Sequence, residues 1–188
     1  MKNHYYTLAA LETIRLGEKI PVSEEYFLQF AEDTIDAKSY QILLKSRWGQ
    51  TEPTGFSFAD RILSWEKDLR LELAKARIMK LPFENPPNLQ GSDGSYNILE
   101  TVRAVMALDS PLDAERYLDQ LRWSFLEEMS ARHYFDLEAL VVYYLKLQLA
   151  LRQEKFQEKP GRDSFEKEYA ALTDSYNNDY LIEMGEDD

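Results

Sequence analysis

The chain has 188 residues, no cysteine, and 34 acidic against 22 basic residues, which gives a net charge of −12. This length suits one domain, or at most two small ones, and the lack of cysteine excludes disulfides, thiolate nucleophiles and cysteine-ligated metal centres. The excess of acidic residues makes nucleic acid and anionic lipid poor partners, because both are bound largely through Lys and Arg.

The first third of the chain predicts three short helices separated by Gly and Pro. Apolar residues recur over residues 5–16, which predicts a helix, although a short extended piece also fits. Ser23 is a good N-cap and is followed by Glu24 and Glu25, so a second helix is predicted to begin there. A third helix is predicted over residues 36–46.

A long amphipathic helix follows in the middle of the chain. It is predicted to begin at Ser57 or Asp60 and to end before Pro82, because proline breaks a helix. Glu66 and Arg70 are spaced to form an i,i+4 ion pair on it. Its predicted apolar stripe consists of Ile62, Trp65, Leu69, Leu73, Ala76 and Met79.

The second half of the chain predicts further helices with well-marked starts. A Pro/Gly-rich loop at 82–94 leads to a helix capped by Ser95 and reaching Leu108. Ser110 and Pro111 then mark the start of a helix through residue 130. Its predicted apolar stripe consists of Leu118, Leu121, Phe125 and Met129.

The last predicted helices differ in how much apolar surface they carry. Asp136 is a cap candidate for a helix over 137–151, which carries few polar residues and must be buried on most sides. A final amphipathic helix is predicted from Asp163 or Ser164. We therefore predict an all-α bundle of about six to eight helices, with two long antiparallel helices and the loop at 82–94.

The predicted domain organisation is a single helical domain over residues 1–176, followed by an acidic flexible tail at 177–188. Residues 1–8 lack the basic-then-apolar pattern of a signal peptide. The apolar run at 137–151 is too short to span a bilayer. We therefore expect a soluble, cytoplasmic protein without a membrane span.

The sequence carries no motif for catalysis, a cofactor or a metal. His4 and His133 lie far apart and lack metal-ligand spacing. The glycines near residue 91 lack the lysine of a phosphate-binding loop. No catalytic, cofactor-binding or metal-binding residue is therefore predicted. A hydrolase that uses His133 with two carboxylates is kept as an alternative, and it requires a pocket that holds these groups together.

Two places in the sequence are candidates for an interface. Arg122 and Trp123 adjoin an apolar stripe, where Arg122 is expected to pair with Asp119; the alternative is that both anchor a partner. The junction of residues 133–136 either seals the core or forms an exposed corner. The candidate interface residues are Arg122, Trp123, His133, Tyr134, Phe135 and Asp136.

Three segments of the second half resemble an uncharacterised bacterial family whose genes lie among those for V/A-type (vacuolar-type) ATPase subunits. They are Leu-Arg-Trp-Ser-Phe-Leu at 121–126, His-Tyr-Phe-Asp-Leu at 133–137 and Tyr-Leu-Lys-Leu-Gln at 144–148. Tyr5-Tyr6, Pro21-Val22-Ser23, Phe27, Trp65-Glu66, Leu69-Arg70, Glu72-Leu73-Ala74 and Arg77 agree with the same family. The resemblance covers about residues 5–172.

The resemblance implies a setting and not a reaction. The family is similar to a short form of the C (or d) subunit, an all-helical socket between the rotor shaft and the membrane ring of these ATPases. It implies protein partners, namely shaft or ring subunits, at the inner membrane and with no cofactor. A reduced socket, an accessory stalk component and an assembly factor all stay open, because the chain is shorter than a C subunit.

The net charge suggests one hypothesis about how a partner is attracted, and the sequence patterns leave one rival interpretation of the function. A net charge of −12 suits steering toward a basic shaft end or basic ring loops. The rival interpretation is a free-standing adaptor or regulator unrelated to the ATPase, which predicts a large exposed apolar groove for a partner helix.

Overall fold

The computed structural model describes residues 4–80, 89 and 96–155, and these residues form seven α-helices and no β-strand. This confirms the predicted all-α class and the predicted number of helices. The helices are α1 (Tyr5–Ala10), α2 (Glu24–Thr34), α3 (Ala37–Lys45), α4 (Ser57–Lys80), α5 (Tyr96–Met106), α6 (Pro111–Ser130) and α7 (Leu137–Glu154).

Four helix starts are fixed by side-chain caps at the residues that the sequence indicated. Ser23, Asp36, Ser110 and Asp136 each accept a hydrogen bond from a backbone N–H in the first turn, satisfying a donor that has no partner within the helix. The donors are Tyr26, Ser39, Asp113 and Ala139, at 3.1, 3.3, 3.2 and 3.0 Å respectively. Local chemistry therefore sets where α2, α3, α6 and α7 begin.

Helix α1 is shorter than predicted. It ends at Ala10, and Leu11 is already extended (φ −86°, ψ 133°). The following residues, predicted to be helical, instead run as irregular chain that buries Ile14 in the core and turns at Gly17 with φ +83°. Because the backbone already leaves the helical region at Leu11 and Ile14 packs into the core, the helical prediction beyond Ala10 was wrong.

The two longest described helices, α4 and α6, lie antiparallel, whereas the sequence predicted antiparallel packing for the two helices that flank the loop at 82–94. Glu66 on α4 binds Arg122 on α6, whereas Arg77, further along α4, pairs at 3.7 Å with Glu115, which is earlier on α6. Helix α7 packs beside them and is buried on most sides, as its composition predicted. Its buried residues are Leu140, Val141, Val142, Tyr144, Leu145, Leu147, Leu149 and Ala150.

Within the described residues, the buried apolar side chains form two clusters. The larger one joins α7 to α2, α3, the first half of α4 and the second half of α6. The smaller one joins the second half of α4 to α5 and the first half of α6. Residues of the smaller cluster are Leu69, Leu73, Ile98, Val102, Val105 and Leu118.

Two predicted stripes differ from the observed buried faces. Met79, placed in the stripe of α4, is exposed, because α4 extends past its packed face by its last turn. On α6 the buried face includes Asp119, Arg122 and Trp123, while Phe125 is only partly buried. The buried face of α6 is therefore rotated toward polar residues that a purely apolar pattern ignores.

The chain divides into two compact units, residues 1–151 and 152–188. Of the second unit, the structure describes residues 152–155, which include the last turn of α7. The loop at 82–94 (except Leu89), the Ser95 cap, the helix from residue 163 or 164, the domain limit at 176 and the tail at 177–188 lie outside the described residues. None of the described helices combines the length and apolar character that a membrane crossing requires.

Candidate functional site

A buried ion network joins α4 to α6 at the boundary between the two apolar clusters. Arg122 donates two parallel hydrogen bonds to Glu66, from Nε to Oε2 at 2.9 Å and from Nη2 to Oε1 at 3.0 Å. Its Nη1 also donates to Asp119 Oδ1 at 3.0 Å, which confirms the predicted pair. The half-exposed Arg70 adds a bond to Glu66, as its i,i+4 spacing predicted. This geometry gives Arg122 a structural role inside the protein and not the role of an anchor for a partner, since its donors face into the protein.

The electrostatics of the network agree with that assignment. Burial lowers the pKa of Arg122, but the hydrogen bonds and charges of Glu66 and Asp119 outweigh burial and raise it above its ordinary value. Arg122 is therefore held as a cation, and its positive charge offsets the desolvation of the two carboxylates. No proton transfer at neutral pH is expected from such a group.

Trp123 takes part in a separate contact, which joins α6 to α7. Its indole Nε1 donates to Glu127 at 2.9 Å, and the Lys146 ammonium lies 4.7 Å above its ring. Burial lowers the pKa of Lys146 despite the opposing charge of Glu127. Trp123 is itself buried, so this contact fixes α6 against α7 rather than presenting the indole to a partner.

Helix α7 is also tied to α2 and to the loop after α3. The fully buried Tyr144 donates its hydroxyl hydrogen to Glu24 at 2.7 Å and accepts from Arg47 Nε at 2.8 Å. Burial, ahead of the neighbouring charges, raises the pKa of Tyr144 to about 12. Trp48 adds an indole hydrogen bond to the carbonyl of Leu145 at 2.9 Å. These bonds make α7 a fixed frame for the corner that precedes it.

The corner between α6 and α7 places a histidine beside two carboxylates. His133 Nδ1 lies 2.7 Å from Asp136 Oδ2, and the ring packs edge-on against Phe58 at 5.0 Å between centroids. The ligand atoms of His133, Asp136 and Glu138 lie within 4.8 Å of one another. The arrangement that the hydrolase alternative requires, a histidine with two acids, is therefore present in outline.

The partners of Asp136 argue against chemistry at this cluster. Its Oδ2 is engaged by His133, and its Oδ1 accepts from Ala139 N at 3.0 Å as the cap of α7. A metal ion or a substrate proton would have to compete with bonds that hold the start of α7 in place. The geometry thus explains His133 and Asp136 as a structural pair that fixes the corner.

Exposed aromatic rings surround this structural pair. Tyr134 is 71% exposed and Phe135 is 44% exposed, in the segment between α6 and α7. Tyr5 and Tyr6 lie on α1 and are 47% and 86% exposed. The rings of Tyr5 and Phe135 are 4.7 Å apart, and His4 N donates to the Phe135 carbonyl at 2.7 Å. We name Tyr5, Tyr6, Tyr134 and Phe135 the aromatic corner.

An open groove lies near the other end of α1, between it and the start of α2. Its volume is about 370 Å³, and the parallel rings of Tyr26 and Phe30 form one wall. The groove is lined by Ala10, Leu11, Glu12, Pro21, Val22, Ser23, Tyr26 and Phe30. Its size suits one or two side chains of a bound segment and not the apolar face of a long helix.

The six candidate interface residues thus fall into two groups. Arg122, Trp123 and Asp136 are buried and make internal bonds. Tyr134 and Phe135 are accessible, and His133 is partly so. The candidates predicted from the sequence did not include Tyr5, which packs against Phe135 although about 130 residues separate them along the chain, or Tyr6, which packs against Tyr5.

The comparisons with known proteins identify a family. Residues 56–174 match the family described as a protein of unknown function, DUF2764. No curated protein and no solved structure matches the chain. The matching region spans more than half of the sequence and includes the described helices α4 to α7 with the Tyr134–Phe135 half of the aromatic corner. The chain therefore belongs to the DUF2764 family of proteins of unknown function.

Proposed function

We propose that this protein is a non-catalytic helical interaction protein associated with a V/A-type proton- or sodium-translocating ATPase. In this proposal it acts as a stalk connector similar to the C/d subunit, or as an accessory or assembly factor, and binds shaft or membrane-ring subunits. The link to the ATPase derives from the resemblance of residues 121–126, 133–137 and 144–148 to a family encoded beside those subunits.

The observation that carries the proposal is the exposed aromatic corner on a fixed helical frame. Tyr5 contacts both Tyr6 and Phe135, Tyr134 is exposed beside Phe135 in the chain, and large exposed rings are frequent at the centre of protein interfaces. Their position is held by the His133–Asp136 pair, by the cap of α7 and by the bond from His4 to Phe135. A connector in a rotary machine needs such rigid, positioned contact surfaces and no reactive group.

The charged groups at the buried sites support a structural role for the rest of the bundle. Arg122 donates hydrogen bonds to Glu66 and Asp119 inside the protein, and Tyr144 joins Glu24 and Arg47. These networks tie α4 to α6 and α7 to α2. They supply stiffness and are not aimed into an open cleft.

The free-standing adaptor is kept as a second candidate because of the groove between α1 and α2. Tyr26 and Phe30 form one wall of this groove, and Tyr26 is largely exposed. This groove is small compared with the helix-binding groove that the adaptor hypothesis predicts. The aromatic corner therefore supports the first proposal more strongly than the groove supports the second.

Substitution of Phe135 separates an interface from a core position. Phe135→Ala should lower stability only modestly, because the ring is 44% exposed and its ring contact is with Tyr5. A loss of about 0.5–1.5 kcal/mol is expected for one aromatic pair, against about 3–5 kcal/mol for a core phenylalanine. We expect retained folding and lost capture of ATPase subunits. Lost folding stability of the core magnitude would place Phe135 in the core and contradict the proposal.

A further inference from the structure

The charges around the aromatic corner are predominantly negative. The segments that form and adjoin it are residues 4–10, 32–38 and 128–138. They contain six acidic and two basic residues, and Arg61 on α4 adds a third cation next to the corner, which leaves a net charge of −3. The acidic residues are Glu32, Asp33, Asp36, Glu128, Asp136 and Glu138, and the basic ones are Lys38 and Arg132. Asp136 is buried and is hydrogen-bonded to His133 and Ala139, so the negative charge that faces solvent comes from the other acidic residues.

Two helices end close to the corner without a basic residue in the last turn. Helix α6 ends at Ser130 with Glu127 and Glu128 in that turn, and α2 ends at Thr34 after Glu32 and Asp33. The carbonyl end of a helix carries a partial negative charge that Lys or Arg normally offsets. Acids at both ends therefore add to the negative potential.

The end of α2 is held beside the aromatic corner by a direct contact. Thr7 on α1 donates its hydroxyl hydrogen to the hydroxyl of Thr34 at 3.1 Å. Thr7 is two residues from Tyr5, about 3 Å along the helix axis. The negative end of α2 thus lies against α1, the helix that carries Tyr5 and Tyr6.

Exposed aromatic faces are negative as well, and they attract cations. The protein already uses this attraction internally, where Lys146 lies over the ring of Trp123. Next to the corner, Arg61 lies 5.9 Å from the centroid of Phe58, which packs against His133. A partner cation would find four further rings at the corner together with Glu128 and Glu138.

We infer that the aromatic corner binds a basic, lysine- or arginine-bearing amphipathic segment of a partner protein. The apolar side chains of that segment would cover Tyr134 and Phe135. Its cations would lie over the tyrosine rings and near Glu128, Glu138 and Asp33. The inference rests on the proposed function for the use of this surface, and it adds the chemistry of what the surface binds.

The direct test uses two synthetic peptides and the full-length chain. Both peptides have about 20 residues, long enough for a helix to form on binding, with Leu on one face. One carries Lys on the other face and the second carries Glu there. We expect the Lys peptide to shift the amide resonances of Tyr134, Phe135 and Tyr6 in a ¹⁵N spectrum, and the Glu peptide to leave them unchanged.

Matched variants distinguish the corner from general attraction to an acidic protein. Tyr134→Ala and Tyr6→Ala should each weaken binding of the Lys peptide about two- to five-fold, the magnitude of one exposed cation–π contact. Tyr117→Ala, at an exposed tyrosine on α6 outside the corner, should leave it unchanged. Glu128→Gln should weaken binding, whereas Glu100→Gln on α5 removes the same charge elsewhere and should not.

Several results would overturn the inference. They are equal binding of the two peptides, resonance shifts away from the corner, and equal loss in the corner and control variants. A parallel capture experiment with ATPase subunits separates the two proposals. If the subunits bind at the corner and the Lys peptide does not, the inference about basic chemistry fails alone. If the Lys peptide binds at the corner and no subunit is captured, the ATPase proposal fails alone.

Discussion

Replacement of Arg122 by methionine tests the buried ion network most severely. Arg122→Met keeps much of the side-chain volume and removes three hydrogen bonds, two to Glu66 and one to Asp119. Glu66 is only 2% exposed and Asp119 is fully buried, so neither carboxylate can regain water without local opening. Breaking a buried ion pair from one side costs about 3–5 kcal/mol, and here both carboxylates stay inside without the Arg122 cation, with Glu66 keeping its bond from Arg70.

The loss should be large enough to read in a simple melting experiment. A change of 1 kcal/mol shifts the Tm of a chain of this size by about 2–4 °C, so Arg122→Met should melt roughly 6–20 °C below the parent chain. Thermal unfolding followed by circular dichroism at 222 nm measures this shift. Arg103→Met, at an exposed arginine on α5, is the matched control and should stay within about 0.5 kcal/mol of the parent.

A triple variant shows whether the loss of stability in Arg122→Met comes from the two carboxylates that stay buried without Arg122. Replacing Glu66, Asp119 and Arg122 together by Met, Leu and Met removes all three buried charges. Stability should then recover most of the loss, because apolar replacement of a whole buried network is often close to neutral. If Arg122→Met melts like Arg103→Met, or if the triple variant is far less stable than the single one, the reasoning about this network is wrong.

Three further predictions concern other parts of the fold. The pKa of Tyr144 is raised to about 12 in the folded state, which favours the protonated hydroxyl, so its contribution to stability should be complete below about pH 10 and lost between about pH 10 and 12. In Tyr144→Phe the Tm should therefore fall less steeply with pH over this range, and a slope equal to that of the parent chain would contradict this. Gly49→Ala should destabilise by about 1 kcal/mol or more, because φ is +86° and a Cβ would lie 3.1 Å from Arg70 Nη1; a Tm equal to that of the parent chain would refute it. Zn²⁺ added to the full chain should leave the Tm unchanged, since Asp136 is engaged with His133 and caps α7; a Tm that rises with Zn²⁺ and not in His133→Ala would instead establish a metal site.

The parts of the fold that the sequence could predict are those set by neighbours along the chain. Ser110 with Pro111, and Asp136 before an apolar run, mark helix starts through contacts three residues apart. The Arg122–Asp119 pair was predictable for the same reason, since i,i+3 positions meet on one helix face. Such contacts need no knowledge of the tertiary structure.

The rest depends on which helices meet. Glu66 was predicted to pair with Arg70, yet its bidentate partner is Arg122, which is 56 positions away. Tyr5 could not be placed beside Phe135 from any local pattern, because the contact exists only after α1 folds against the α6–α7 junction. Met79 has the spacing of a buried residue, but the neighbouring helices do not cover that turn.

The same limit applies to the candidate site. Sequence patterns selected the 133–136 junction because it separates two strongly apolar helices, and it contains the accessible rings of Tyr134 and Phe135. They also selected Arg122 and Trp123, since both types are frequent at interface centres. Only the tertiary contacts show that these two side chains are used inside the protein.

If the aromatic corner binds V/A-type ATPase subunits, as we propose, a capture experiment with the purified subunits will show it. The full chain is immobilised and exposed separately to the soluble shaft subunits and to the detergent-solubilised membrane ring, beside the Tyr134→Ala/Phe135→Ala double variant and Tyr117→Ala. We expect the parent chain and Tyr117→Ala to capture shaft or ring, and the double variant to lose capture while it keeps its helical content. Capture of no subunit by the parent chain, or equal capture by all three proteins, would contradict the proposal.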